Sequence, residues 1–489
     1  MMFITARAVL AVFFFWEGRV GGRGQGGKSG LLPQADGCTI SLWIFLVLLA
    51  VWFVRQAICI SFRESQQTLW AGRQDMAAEA RGAPLFHKAM LPKPVRITPS
   101  FLGSGLFALS EADCFLASGR EVWRVSAQHH ASDMDEVREA IALGAPTAPL
   151  SSISAQLVCA AATSAGGDMQ SVTAHKSDDG AMTVAAVDAA GGIAVCVGHR
   201  NTGDGSPWKT KRIDGPGFRD GEFGWSGLAL GEDGRQVAVA RHFQRSVGVY
   251  DIATGGLVRM INTVFNPNSI SWLGTGGAGQ LPGAEGLIAV AEHKCISLWD
   301  MRVGSRAVQR LVPTASSPLY SVNWGRGVVG CCGGDRSIYV YDPKRWTIRG
   351  RAMGVTKTQA LSLSFSAADP RLYFVHGCDT QLVCGQWDDA GGPSVVGAAS
   401  ATLIEKSVST GGHKGTHVVT GGAVRRVFEF RSVGRWIAAH KLQHTDSFFG
   451  VCDQQALYVL PPIDSSDLLA QASSSNKRKR SQHTEDDLE

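Results

Sequence analysis

The sequence has no pair of cysteines separated by two residues, and it lacks the short motifs that mark common hydrolases, zinc proteases and calcium-binding loops. The missing cysteine pairs exclude a zinc ribbon and a thioredoxin-type redox site. The missing motifs remove the usual sequence evidence for catalysis. We therefore identify no catalytic residue, no metal ligand and no cofactor-binding residue, and we predict a protein that is not an enzyme and has no small-molecule substrate.

Charge is also scarce, because charged residues make up 18% of the 489 residues and hydrophobic residues 45%. The formal net charge is +5, and residues 1–75 hold seven basic and four acidic residues, so the rest of the chain is nearly neutral. Direct binding of nucleic acid needs a concentrated basic face and is not expected. The 58 glycines and 13 tryptophans indicate many short strands and tight turns.

The eleven cysteines are scattered, and several lie in apolar runs that are typical of strands. Cys159, Cys196, Cys295 and Cys384 are the clearest of these. A free cysteine in such a run behaves as a small hydrophobic residue. The pattern predicts buried, reduced thiols and favours a reducing compartment.

Residues 1–75 form a hydrophobic leader with two apolar runs. The second run, residues 40–60, is about 20 residues long, which is roughly the length needed to cross a bilayer. One interpretation is a membrane anchor. A second is that the leader is absent from the mature protein, because Met76 begins a run of small residues and the composition changes there. A third is a cleaved targeting segment.

A repeated pattern runs through the rest of the chain: a short apolar strand, a polar turn, then an alternating strand that closes on an aromatic residue and an aspartate. The closing aspartates follow one another at intervals of 42 to 49 residues, the period of a four-stranded propeller blade. The closing pairs are Tyr250–Asp251, Trp299–Asp300, Tyr341–Asp342 and Trp387–Asp388.

This pattern resembles the WD40-repeat family, over roughly residues 107–460. The resemblance implies an all-β propeller whose top face binds protein partners without catalysis. Counting strands along the sequence predicts a single propeller of seven or possibly eight blades. In that family an aspartate lies in the turn seven residues before the closing aspartate. Asp335 occupies this position, but His293 and Gln244 replace it in two other repeats.

The sequence divides into four segments on this interpretation. They are the leader 1–75, a linker 76–106, the propeller 107–463 and a polar tail 464–489. Within the propeller, residues 107–125 and 153–175 read as separate blades, and 407–441 as an extra unit. The last strand, Ala456–Leu460, is expected to pair with residues near 107 and close the ring.

Arg302 follows the closing pair Trp299–Asp300 with one residue between. This Trp-Asp-x-Arg sequence resembles the docking box of substrate receptors for cullin-4 RING ubiquitin ligases. The resemblance implies that Arg302 contacts the large propeller adaptor of the ligase. The alternative is a surface arginine that merely follows a structural Trp-Asp pair.

The tail carries four consecutive basic residues, Lys477, Arg478, Lys479 and Arg480, in a serine-rich and polar context. Such a cluster matches a nuclear-import signal and implies importin as a partner. We predict a non-catalytic scaffold for protein–protein interactions in a nuclear complex. The alternative is a membrane-tethered propeller in trafficking, anchored through residues 40–60.

Overall fold

The computed structural model describes residues 86–462 with internal gaps. The predicted membrane segment 40–60, Asp388 and the basic cluster Lys477–Arg480 lie outside the described residues. The gaps are 96–104, 129–146, 151, 161–166, 178, 200–207, 214–224, 232, 275–285, 305, 314, 316, 388–401, 406–416, 421–424 and 443.

The secondary structure in the described part of the chain consists of 31 strands. In chain order the strands are β1 Phe86–Met90, β2 Leu106–Ala108, β3 Asp113–Ser118, β4 Glu121–Gln128, β5 Thr147–Pro149, β6 Ser152–Ala160, β7 Met169–Lys176, β8 Ala181–Asp188, β9 Ile193–His199, β10 Lys209–Ile213, β11 Ser226–Leu230, β12 Gln236–Arg241, β13 Ser246–Asp251, β14 Leu257–Asn262, β15 Pro267–Trp272, β16 Leu287–Glu292, β17 Cys295–Asp300, β18 Gln309–Leu311, β19 Leu319–Gly325, β20 Val328–Gly333, β21 Ile338–Asp342, β22 Thr347–Ala352, β23 Ala360–Phe365, β24 Leu372–Gly377, β25 Gln381–Gln386, β26 Thr402–Glu405, β27 His417–Thr420, β28 Arg425–Arg431, β29 Trp436–Lys441, β30 Phe448–Cys452 and β31 Ala456–Leu460.

Seven sheets contain seven four-stranded antiparallel blades, and in the last of these sheets β5 also pairs, in parallel, with the outer side of β1. The first strand of each blade along the chain is innermost, except in the last blade, where β29 is innermost and β1 is outermost. The blades are β2-β3-β4-β6, β7-β8-β9-β10, β11-β12-β13-β14, β15-β16-β17-β18, β19-β20-β21-β22, β23-β24-β25-β28 and β29-β30-β31-β1, numbered here blades 1 to 7. The innermost strand of each blade contacts those of both neighbours, so the seven inner strands make a closed circle. The predicted all-β propeller is confirmed, with seven blades.

The ring is closed by β1, from the beginning of the described chain. It pairs antiparallel with β31, with His87 opposite Val459 and Met90 opposite Ala456. The sequence placed this closing partner near residue 107, and that expectation is wrong. Residues near 107 instead form the innermost strand β2 of blade 1, while β1 lies within the segment 76–106 that was predicted as a linker.

Two blade assignments from the sequence are also wrong, because insertions separate the last strand of a blade from the other three. Residues 107–125 and 153–175 are not two blades: β6 returns after residues 129–146 to pair with β4 and complete blade 1. The unit 407–441 is likewise divided. Its strand β28 pairs with β25 in blade 6, and β29 begins blade 7.

Side chains of the innermost strands join blades 4, 5 and 6. Asn268 Nδ2 donates to the Leu319 carbonyl oxygen at 2.8 Å, and Asn323 Nδ2 donates to the Leu363 carbonyl oxygen at 2.9 Å. The Leu363 N–H donates in turn to Ser321 Oγ at 3.2 Å. These bonds satisfy backbone groups that face a neighbouring blade rather than a strand of their own sheet.

Glycines inside the strands provide space for aromatic rings. A Cβ atom at Gly385 would lie 2.3 Å from Tyr373 Oη, and one at Gly450 would lie 2.4 Å from Trp436 Cζ3. Both rings are buried and come from the adjacent strand of the same blade. Many of the glycines that the composition attributes to turns therefore have a packing role in strands.

His440 of β29 stabilises the contact between blades 7 and 1. Its Nδ1 accepts a hydrogen bond from the Ala108 N–H at 3.2 Å, and its ring lies 4.4 Å from that of Phe107, between centroids. Burial and, to a smaller extent, the nearby Lys441 charge together lower the pKa of His440 to about 4. The neutral imidazole is therefore the form that accepts the Ala108 hydrogen bond.

We expect Phe86→Ala to lower the free energy of unfolding by about 3–5 kcal/mol, as for other fully buried phenylalanines. Phe86 is buried in β1 and stacks on Phe430 with ring centroids 3.8 Å apart. The measurement is chemical denaturation of the variant. Met90→Ala is the matched control, since Met90 lies in the same strand but is 60% exposed. Equal losses from both substitutions would contradict this account of ring closure.

We also expect protonation linked to His440 to lower the free energy of unfolding as the pH drops from about 6.5 to about 4. In that range the unfolded chain binds a proton at position 440 that the folded chain does not. The effect of His440 is at most about 3 kcal/mol. Denaturation across pH 7 to 4 measures it. His440→Asn, which keeps an acceptor for Ala108, should flatten the slope in part, since His376 also has its pKa lowered to about 4 by burial. An unchanged slope would contradict the assignment to His440.

Candidate functional site

The aromatic residues of the predicted repeat are buried, and the aspartates cap turns. Tyr250, Trp299, Tyr341 and Trp387 all belong to the core. Asp251, Asp300 and Asp342 end the third strands of blades 3, 4 and 5, and each accepts a backbone N–H from the turn that follows. The hydrogen bonds from Thr254 lower the pKa of Asp251. These repeat residues therefore hold turns in place and are not brought together into one site.

Asp335 lies in the turn between the second and third strands of blade 5, as the resemblance implied. Its carboxylate accepts the Tyr339 hydroxyl at 2.6 Å and the Ser337 N–H at 3.1 Å. Arg351 donates to the same Tyr339 hydroxyl at 3.0 Å from the fourth strand. The aspartate thus connects the turn to strands β21 and β22.

Blade 4 has a corresponding acid that the sequence reasoning missed. His293 occupies the expected position, but the buried acid is its neighbour Glu292. The Glu292 carboxylate accepts the Ser297 hydroxyl, and Ser297 Oγ accepts the Trp299 indole N–H at 2.7 Å. The only signal in the sequence is an acid followed by a serine five residues later and a tryptophan seven residues later. Glu292 lies eight residues before the closing Asp300, one more than the seven of the usual repeat.

The blades surround a central cavity of about 510 Å³ lined by their innermost strands. Its walls include the polar side chains of Ser171, Asn268 and His440. Asn268 and His440 make the hydrogen bonds between blades described above. No group of three metal-ligating side chains occurs among the residues that the structure describes. The described part of the chain also contains no helix long and apolar enough to span a membrane.

The cysteines in the described strands are free, and most are buried. Cys159, Cys196, Cys295 and Cys384 are buried in the blades, which confirms the prediction from their apolar context. Burial raises the pKa of the Cys295 thiol to about 11. A thiol in such surroundings stays protonated at neutral pH and is a poor nucleophile.

The turns of the propeller lie at two opposite ends of the blades. We call top face the end that carries the turns between the second and third strands and the connections from one blade to the next. The bottom face carries the turns between the first and second and between the third and fourth strands. Arg302 lies in the turn from β17 to β18 and therefore on the bottom face.

Arg302 is 67% exposed, and its guanidinium pairs with the carboxylate of Asp300 at two points, through Nε and an NH2 nitrogen, each at 3.0 Å. These bonds lower the pKa of Asp300. The next residue, Val303, is also exposed. An ion pair at this exposure contributes little stability, so its main effect is to orient the arginine.

Arg259 from blade 3 fixes the backbone of the same turn. Its guanidinium donates to the carbonyl oxygens of Asp300 at 3.1 Å, Met301 at 2.9 Å and Val303 at 2.6 Å. A turn held from the neighbouring blade loses little conformational entropy when it contacts a partner. The Arg302 turn is thus a pre-organised surface feature.

No family model matches the chain, and no curated protein matches it. The fold is similar to that of a chain in the crystal structure of a mitotic checkpoint complex, with a TM-score of 0.51, 11% identity, and coverage of 79% of this chain and 96% of that chain. The Pan2 WD40 domain of Neurospora crassa is similar with a TM-score of 0.47, 12% identity, and coverage of 78% of this chain and 97% of that chain. The WD40 propeller domain of Doa1 is similar with a TM-score of 0.46, 9% identity, and coverage of 74% of this chain and 94% of that chain.

At 11% identity the likeness to the first of these chains establishes the fold alone. The structure combines three features. Its blades are four-stranded and antiparallel, several third strands close on an aromatic residue and an aspartate, and strands from both ends of the described chain close the ring. These features define a seven-bladed β-propeller of the WD40 type.

Proposed function

We propose that this protein is a non-catalytic scaffold that joins protein partners within a nuclear complex. A propeller of this kind offers rigid turns at two faces, and binding through such turns needs shape and charge rather than reactive groups. The similar chain from the mitotic checkpoint complex is itself part of a complex, and at 11% identity it relates to this chain in fold alone. The fold alone does not specify a function, so the proposal depends on a particular surface.

The observation that carries the proposal is the pre-organised Arg302 turn on the bottom face. Arg302 is exposed, oriented by Asp300, and supported through Arg259 by the neighbouring blade. A fixed and exposed arginine suits a hot spot of a protein interface. We propose that this turn docks on the propeller adaptor of a cullin-4 RING ubiquitin ligase and that the protein is a substrate receptor.

We expect Arg302→Ala to reduce affinity for the purified adaptor at least tenfold without changing the free energy of unfolding by more than about 0.5 kcal/mol, as for other exposed substitutions. Titration calorimetry measures the affinity and denaturation the stability. Lys344→Ala is the matched control, because Lys344 is exposed and occupies the same position after Asp342 in blade 5. Wild-type protein that does not bind the adaptor, or equal losses in both variants, would overturn the receptor proposal.

We expect a fluorescent reporter fused to residues 464–489 to accumulate in the nucleus. Importin recognises extended Lys and Arg side chains, and Lys477–Arg480 supplies four of them. Replacement of all four by serine should return the reporter to the cytoplasm. Microscopy of both reporters provides the measurement, and a reporter that stays cytoplasmic with the basic cluster intact would contradict nuclear import.

The second candidate is a membrane-tethered propeller in trafficking. The long apolar run at residues 40–60 favours it, since its length and composition suit a membrane anchor. Carbonate-resistant membrane association of the full chain, lost when residues 40–60 are made polar, would support the second candidate over the first. Mass spectrometry of the mature amino terminus separates the two directly, because a protein that starts at Met76 lacks the run.

A further inference from the structure

Three apolar side chains are exposed on the top face where blades 3 and 4 meet. Phe243 in the turn from β12 to β13 is 59% exposed, and Val264 and Phe265 in the connection from β14 to β15 are 47% and 48% exposed. Three exposed basic or titratable residues lie on the same face: Arg245 in the turn from β12 to β13, and His293 and Lys294 in the turn from β16 to β17. The blade 3–4 patch is defined as Phe243, Val264, Phe265, Arg245, His293 and Lys294.

The backbone beneath the apolar side chains is fixed by buried hydrogen bonds. The N–H groups of Val264 and Phe265 donate to one carboxylate oxygen of Glu292, at 2.8 and 3.1 Å. The hydroxyl of Thr263 donates to the Phe265 carbonyl oxygen at 2.8 Å. These bonds fix the backbone position from which the exposed Phe265 side chain extends.

A second network joins the turn of blade 3 to the same connection. Asn266 contacts His242 Nε2 through its Nδ2 at 3.1 Å and accepts Arg245 Nε on its Oδ1 at 3.0 Å. The ring of His242 packs edge-on against Phe243 at 5.0 Å between centroids, and the ring of His293 lies 6.1 Å from that of Phe265. Hydrogen bonds and ring contacts thus hold much of the patch together.

Two residues of the patch adopt a backbone conformation that side chains disfavour. Arg245 has φ 50° and His293 has φ 48°. In blade 1 the corresponding two-residue turn has Gly119 at φ 56°, so the same turn forms with glycine. A left-handed backbone conformation is unfavourable for a residue with a side chain, so glycine at position 293 would relieve this turn.

The exposed charge of the patch is entirely positive in the described turns. Residues 241–246, 262–268 and 292–295 contain a single carboxylate, that of Glu292, and it is fully buried. Arg245 and Lys294 are exposed cations in these turns. The complementary ligand is therefore anionic and carries apolar groups.

We propose that the blade 3–4 patch binds an extended acidic segment of a partner protein that carries two aromatic or aliphatic side chains. The apolar side chains of the segment pack on Phe243, Val264 and Phe265, and its carboxylates pair with Arg245 and Lys294. This inference rests on the proposed scaffold function and names the face and chemistry of one partner. A nucleic acid is disfavoured, because two cations are too few for a backbone track and Val264 offers no stacking surface.

The test begins with selection of binders from a display library of random 12-residue peptides on the full chain. Selected peptides should be rich in Asp and Glu and should contain at least two aromatic or aliphatic residues. Fluorescence polarisation then measures their affinity. A single-stranded oligonucleotide of 12 thymidines, tested in parallel, should bind more weakly than the peptides.

Three variants test the assignment to the patch. Arg245→Glu combined with Lys294→Glu should weaken the selected peptides at least tenfold, and Phe265→Ser should do the same. His293→Gly should weaken binding while leaving the midpoint of thermal unfolding unchanged or higher, because glycine relieves the strained turn. Arg345→Glu, an exposed arginine in a turn on the bottom face, is the matched control and should not change affinity.

The proposal is overturned if the selected peptides show no acidic excess, if the patch variants bind them normally, or if the oligonucleotide binds more tightly and loses affinity in the same variants.

The acidic end of the chain, residues 485–489, is a competing occupant. If neutralising its carboxylates strengthens peptide binding at least tenfold, the patch belongs to the tail instead. Arg302→Ala should leave peptide binding intact, and the patch variants should leave adaptor binding intact, which separates this proposal from the scaffold proposal.

Discussion

Closure of the ring is the constraint on which the rest of this structure depends. Each blade is a small sheet with apolar residues on both faces, and a neighbouring blade is needed to cover each face. An open chain of seven blades would leave two such faces in water. The pairing of β1 with β31 and the hydrogen bond from Ala108 to His440 bring the last blade against the first. The residues that close the ring therefore stabilise every blade indirectly.

A closed ring also explains where binding features can occur. The inner strands are buried between blades, and both binding features described here lie in turns at the two faces. On the bottom face Arg259 reaches from blade 3 to hold the turn of Arg302, and on the top face Glu292 holds the connection that presents Phe265. In both places a buried or clamped group orders the backbone and leaves a neighbouring side chain exposed. Both features involve blades 3 and 4, so one pair of blades presents two opposite surfaces.

The repeat was readable from the sequence because its signals are local. The aromatic residue and aspartate that close a strand, such as Trp299 and Asp300, lie next to each other, and alternation along one strand identifies its buried face. The strands that complete blades across insertions were misread. β6 pairs with β4, and β28 pairs with β25, in each case after a long intervening segment. No local feature of the β6 or β28 sequence identifies its partner strand. The Arg302 turn was found by its motif, but the support from Arg259 was not visible.

Local sequence was enough to predict an all-β propeller with a repeat of about 45 residues, buried thiols, and the position of Arg302 after its Trp-Asp pair. It was not enough to show that β1 closes the ring, that Glu292 rather than His293 is the buried acid of blade 4, or that the top face carries exposed phenylalanines. A strand pattern depends on neighbours along the chain, whereas closure, burial of an acid and exposure of a ring depend on groups that meet only when distant segments pack together.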